Sequence, residues 1–207
     1  MRHDPERFVT FVLGTFMLVF YGGLGFLTLK VWWRTKRFPL LVFTGGDPKE
    51  FAKGLAAFGW PVPVLLWAYF PPAFRWIPEL AALETWPVRL LGLLCLCLAT
   101  SLAAVAYAEL GDRWSVGVDP VPTGLTTTGI YSAVRHPVYS AMMLVTAGIF
   151  LLAPNLMFAM LLAGACALSA RQAVLEERFL TLRWGDEYRR YVSRTGRFFP
   201  RVRHTQS

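Results

Sequence analysis

Two polar stretches of this 207-residue chain hold the side chains that could do chemistry, and each adjoins a long apolar block. The first reads Gly124-Leu-Thr-Thr-Thr-Gly-Ile-Tyr131-Ser-Ala-Val-Arg135-His136-Pro137-Val-Tyr139 and is rich in turn formers up to Pro137. Proline suits the first turn of a helix, so Arg135 and His136 are expected at a helix N-terminus. Free N–H groups and the positive end of the helix dipole there favour an anionic group such as a carboxylate or phosphate. In the second stretch Ser169, Gln172, Glu176 and Phe179 follow at i, i+3, i+7 and i+10, one stripe of a helix leaving an apolar block. Glu176 and Glu177 are costly so close to lipid, and a carboxylate at that depth faces a partner or a water-filled cavity. Two roles stay open for them: a ligand-binding pair, or an interfacial pair held by Arg171 or Arg135 to keep the fold together.

Other features have plainer explanations. Gly22-Gly23-Leu24-Gly25 looks like the start of a dinucleotide loop, but Thr28 stands where the last glycine is needed and no strand precedes it, so a helix-packing face is expected. His3, His136 and His204 are far apart, with no Cys or carboxylate at metal-ligand spacing, and no metal is expected. Cys95, Cys97 and Cys166 all lie in apolar blocks, offer no CxxC pair and are expected as small core residues.

The elements that must position these residues follow from composition. The chain is 55% hydrophobic with a mean hydropathy of +0.44, and four blocks, 8–29, 54–74, 90–108 and 137–170, carry no charge at all. Membrane-crossing helices need roughly 20 predominantly apolar residues in a row. A soluble nucleotide-binding fold, a disulfide-rich secreted module and disorder are therefore excluded. The first block is longer than a signal-peptide core and is expected as a retained span. The fourth is too long for one crossing, and Pro154-Asn155 near its middle predicts a tight hairpin. The expectation is an all-α polytopic membrane protein with five spans, at about 8–29, 55–74, 88–108, 138–153 and 156–182. Pro61, Pro63, Pro71 and Pro72 kink the second. Residues 1–109 then form an N-terminal region of three spans, and 110–207 a C-terminal region of loop, hairpin and interfacial tail.

With five spans, 17 of the 21 Lys and Arg fall on one face and 4 on the other. The basic face is expected to be cytoplasmic, with the N-terminus outside. This distribution accounts for the net charge of +8 without nucleic acid. The tail from Trp184 to Pro200 mixes aromatics with arginines and is expected as an interfacial helix, its rings in the headgroups and its arginines near phosphates.

The order Gly129-x-Tyr131-x-x-x-Arg135-His136-Pro137-x-Tyr139, an apolar hairpin, Glu176-Glu177-x-x-Leu180, Trp184-Gly185-x-x-Tyr188-x-x-Tyr191 and Arg197-x-x-Pro200 resembles the isoprenylcysteine carboxyl methyltransferase family. Phospholipid N-methyltransferases and bacterial small-thiol methyltransferases are similar. The resemblance runs from about residue 110 to 200 and includes Gly111-x-x-Trp114-Ser115. It implies S-adenosylmethionine bound in a cytoplasm-facing pocket between the last two spans and the C-terminal helix. The cofactor contacts it implies are Thr123, Gly124, Leu125, Thr126, Tyr131, His136, Pro137, Val138, Tyr139 and Glu176. On the acceptor side it implies Gln172, Arg171 and Glu177; where the isoprenylcysteine branch has an arginine four residues before the first Glu, this chain has Gln172, with Arg171 about 100° around the helix.

The function expected is methyl transfer from S-adenosylmethionine to a membrane lipid or other lipophilic acceptor, with O-, N- and S-methylation all open. Two alternatives compete: a nicotinamide-dependent membrane reductase, since sterol reductases have a similar C-terminal membrane fold, and a non-catalytic membrane accessory protein. Oligomeric state is open as well.

Overall fold

The computed structural model describes residues 5–36, 59, 61–111 and 124–201. Five α-helices carry it: α1 (Pro5–Thr35), α2 (Pro61–Tyr69), α3 (Trp86–Leu110), α4 (Pro137–Leu152) and α5 (Leu156–Arg194). Among the described residues there is no β-strand, only two isolated bridges. Three helices, α1, α3 and α5, are long and apolar enough to cross a membrane, and α4 is a shorter apolar helix. The chain is thus a helical membrane protein. Apolar side chains such as Leu18, Phe26, Leu94 and Met160 point outward, as a lipid-facing surface requires.

The ends of these helices are written locally. Pro87 occupies the first turn of α3, and the chain leaves that helix at Gly111. Pro137 starts α4 directly after His136. The hairpin tip falls at Pro154-Asn155 as expected, and Asn155 Oδ1 caps α5 by accepting from the Phe158 N–H at 3.0 Å. The tip is also fastened from outside the hairpin: the Leu80 N–H donates to the Pro154 carbonyl at 2.8 Å, and the Leu156 N–H to the Pro78 carbonyl at 3.0 Å.

One element differs from expectation. Of the second span, residues 55–58 and 60 lie outside the described residues, and the part described is a nine-residue helix too short to cross alone. Pro71 and Pro72 follow it in a 3₁₀ turn, Pro71–Phe74, where prolines without N–H groups cannot extend the α-helical ladder. The tail is a helix of its own beyond a break in α5 at Gly185, whose φ of 51° and ψ of −122° belong to glycine alone, and it runs to Arg194.

Between lipid-facing helices, close packing replaces the hydrophobic effect as the cohesive term. The closest pair is α3 with α4. Gly92 and Gly148 face each other where they cross, and a Cβ on Gly92 would stand 2.9 Å from the Gly148 carbonyl oxygen and 3.1 Å from the Leu151 and Leu152 side chains. Around this contact Leu13 and Met17 of α1, Val64 of α2, Leu96 of α3, Ile149 of α4 and Phe158 of α5 close one core.

Candidate active site

The polar residues gather where α4 begins, α5 leaves its apolar stretch and the chain returns after α5. That return is built from backbone. The Arg135 and His136 N–H groups donate to the carbonyls of Gly196 and Arg197 at 2.9 and 3.0 Å, and the Gly196 N–H donates to the Ala133 carbonyl at 3.0 Å. Ser140 Oγ, one turn into α4, donates to the Phe198 carbonyl at 2.6 Å. Residues 133–136 and 196–198 thus run side by side, with Val134 and Gly196 forming a parallel bridge. The kink at Gly185 makes this return possible.

On this frame sit two carboxylates with different surroundings. α5 is apolar through Ala170, so Glu176 and Glu177 lie roughly 10 Å beyond its membrane segment at 1.5 Å per residue. Glu177 is clamped. Its Oε1 accepts from Arg135 Nε and Arg197 Nε, both at 3.0 Å, and its Oε2 from Arg197 Nη2 at 2.6 Å. Arg135 in turn donates through Nη1 to the Thr195 carbonyl and, at 3.3 Å each, to the Val192 carbonyl and Thr195 Oγ1. Burial opposes the charge on Glu177, but the nearby His136 and the hydrogen bonds from Arg197 and Arg135 hold its pKa well below the usual carboxylate range.

Among the described residues Glu176 meets no arginine. Its Oε1 accepts from the Tyr139 hydroxyl and, at 3.4 Å, from Gln172 Nε2. The His136 ring bridges the pair, with Nδ1 3.5 Å from Glu176 Oε2 and Nε2 3.4 Å from Glu177 Oε1, and it stacks on the Tyr139 ring at 5.5 Å. Nε2 is close enough to Glu177 to feel its charge, yet among the described residues it has no aligned hydrogen-bond acceptor and is buried. No side chain caps the first turn of α4.

Of the residues named from sequence, His136, Tyr139, Gln172, Glu176 and Glu177 come together, and Pro137 and Val138 start the helix beneath them. Tyr131 is buried in a 3₁₀ turn (Gly129–Ser132), and its carbonyl accepts from the Tyr191 hydroxyl at 2.6 Å. Gly124, Leu125 and Thr126 are half-buried in the extended stretch leading to that turn, while Thr123, Trp114 and Ser115 lie outside the described residues. Arg171 is exposed, about 100° around α5 from Gln172. Sequence reasoning assigned no role to Arg197, although its place in the spaced motif was the available signal, and it missed Glu109, described below. Among the described residues no three His, Cys, Asp or Glu side chains are grouped as metal ligands.

Burial lowers the His136 pKa, but the two carboxylates of Glu176 and Glu177 within 3.5 Å of its ring outweigh it, and the net shift is upward from 6.5. A pKa raised on folding gives stability that is complete below 6.5 and lost as pH rises through the folded value; the lowered pKa of Glu177 gives stability present above 4.5 and lost as pH falls below it. The protein in detergent should therefore be most stable between about pH 4.5 and 6.5, and His136→Gln should flatten the alkaline limb. Thermal melts showing the same alkaline slope in wild type and variant would contradict this linkage.

Comparison with known proteins gives two matches. The chain is 36% identical over 107 residues to the nickel-cobalt-cadmium resistance protein NccN of Alcaligenes xylosoxydans xylosoxydans, an alignment covering 51% of this chain and 50% of that protein. The chain thus spans about half the length of this curated relative. Residues 88–187 match the phospholipid methyltransferase family, a group of membrane methyltransferases similar to the isoprenylcysteine enzymes. That interval takes in nearly all of α3, the 129–132 turn, the hairpin and both glutamates, so the similarity to the phospholipid methyltransferase family falls on the residues gathered at this site.

Proposed function

We propose that the protein transfers a methyl group from S-adenosylmethionine to a lipid or other amphipathic acceptor that enters from the membrane, with the donor bound on the cytoplasmic face. The observation that carries this is the buried His136 Nε2, a donor with no aligned acceptor, beside the uncapped start of α4 and next to a carboxylate that meets no arginine. Donors that lack an acceptor suit a carboxylate, and Glu176 suits a cationic amine or sulfonium. The donor molecule carries all three groups, so the residues fit it.

When bound, S-adenosylmethionine supplies a methyl group already activated on a sulfonium. The chain's own residues hold and align. His136 and the N–H groups of the first turn of α4 hold the anionic end, while Glu176 faces the cationic end. Tyr139 and Gln172 fix the Glu176 carboxylate in turn. Glu177 keeps Arg135 and Arg197 in place and, with them, the returning segment that closes the site against water. Alignment and exclusion of water are the contributions an in-line displacement most needs. A carboxylate or thiolate acceptor requires no general base. An amine acceptor must lose a proton, and Glu176 is the carboxylate positioned to take it.

Sealed membrane vesicles test the donor and the orientation together. Isotope-labelled adenosylmethionine, added outside inside-out vesicles with a lipid extract, should label a lipid-soluble product, and right-side-out vesicles should not. Equal labelling in both would overturn the cytoplasmic placement. No labelling in either, with no donor binding by the purified protein, would overturn the methyltransferase activity; release of a nicotinamide would favour a reductase instead.

A further inference from the structure

We infer that Glu109 is a positioning residue of this site: from the last turn of α3 it holds the 129–132 turn, and through it Tyr131 and His136, where the methyl donor binds. The inference rests on the methyl-donor proposal for the region around His136. Glu109 is the penultimate residue of α3, next to a helix C-terminus whose partial negative charge disfavours an acid. Its position is accounted for by what it contacts. Both carboxylate oxygens accept from the Ile130 N–H, at 2.9 and 2.8 Å. Gly129, with φ at 55°, lies directly against them, and a Cβ there would overlap the Glu109 carboxylate. Glycine is favoured at 129 by its left-handed conformation, and a side chain there would displace the Glu109 carboxylate.

The turn is gripped from the other side as well. Tyr191, from the segment beyond the Gly185 kink, donates its hydroxyl to the Tyr131 carbonyl at 2.6 Å. Inside the turn, Ser132 Oγ donates to the Gly129 carbonyl at 2.6 Å, and the Val134 N–H donates to the Ile130 carbonyl at 3.0 Å. From Val134 the chain passes directly to Arg135 and His136. Glu109 therefore ties a membrane-crossing helix to the segment bearing the orphaned His136 nitrogen.

The test uses the full-length protein in detergent, with Glu109→Ala and the more conservative Glu109→Gln. Calorimetry reads adenosylmethionine affinity, and hydrogen exchange reads the Ile130 amide without any donor present. Glu109→Ala should weaken donor binding about tenfold, as loss of a charge-assisted hydrogen bond does, and should speed exchange at Ile130. The rate at saturating donor should stay within about threefold of wild type. Glu109→Gln, which keeps an acceptor oxygen, should recover most of the affinity. Equal donor affinity in wild type and Glu109→Ala, or failure of Glu109→Gln to recover any of it, would overturn the positioning role. Wild-type protein that binds no adenosylmethionine, with Ile130 still protected by Glu109, would instead overturn the donor reading.

Discussion

Glu177→Gln is expected to cost about 3 kcal/mol of stability and to lower the Tm in detergent by roughly 10 °C. The reason is Arg135. Its side chain is 8% exposed, and it places its Nε proton on Glu177. Removing the charge from one member of a nearly buried ion pair leaves the other without compensation, which typically costs 3–5 kcal/mol. The lower end applies because Arg135 keeps the backbone carbonyls of Val192 and Thr195. Arg197, 41% exposed, adds little, since exposed pairs are worth about 1 kcal/mol or less. The substituted amide also brings an N–H₂ group among groups that are all donors. A Tm within a degree or two of wild type would show that the clamp on Glu177 is dispensable.

Glu176→Gln should do the reverse, weakening adenosylmethionine binding by about ten- to a hundredfold while leaving the Tm nearly unchanged. Its partners in the protein, Tyr139 and Gln172, are neutral donors that a glutamine oxygen also satisfies. At a pH where His136 is neutral, a cationic ligand registers the lost charge, at about 1.5–3 kcal/mol. Calorimetry on the two variants side by side separates the roles. Should Glu177→Gln lose more affinity than Glu176→Gln, with stability unaffected, the assignments would have to be exchanged.

What could be read in the sequence was what short-range chemistry writes there. Pro154-Asn155 placed the hairpin tip, Pro137 placed His136 at the head of α4, and the spacing of Gln172 and Glu176 put them on one stripe, where they hydrogen-bond. The difference between the two glutamates was visible only as an angle around the helix. Its physical content, two arginines on one and none on the other, comes from residues 42 and 20 positions away from Glu177, and such distances leave no periodic trace. The same holds for Glu109, 21 residues from Ile130. The second span was misjudged in extent because its apolar composition outweighed the prolines that end its helix at Tyr69. The tail helix was legible in its mix of aromatics and arginines, and what the sequence did not show is the angle that Gly185 sets between it and the rest of α5.

The pairing of residues 133–136 with 196–198 also sets a timetable. A ribosome adding about 5–20 residues per second reaches Thr195 several seconds after Arg135, its partner 60 positions earlier. During that interval the hairpin can enter the bilayer, yet Arg135 and His136 have no carbonyls to meet their backbone N–H groups and Glu177 lacks Arg197. Insertion and completion of the site are thus separate events in the life of the chain. Throughout the first, the nascent protein is membrane-bound but has no assembled centre with which to capture a donor.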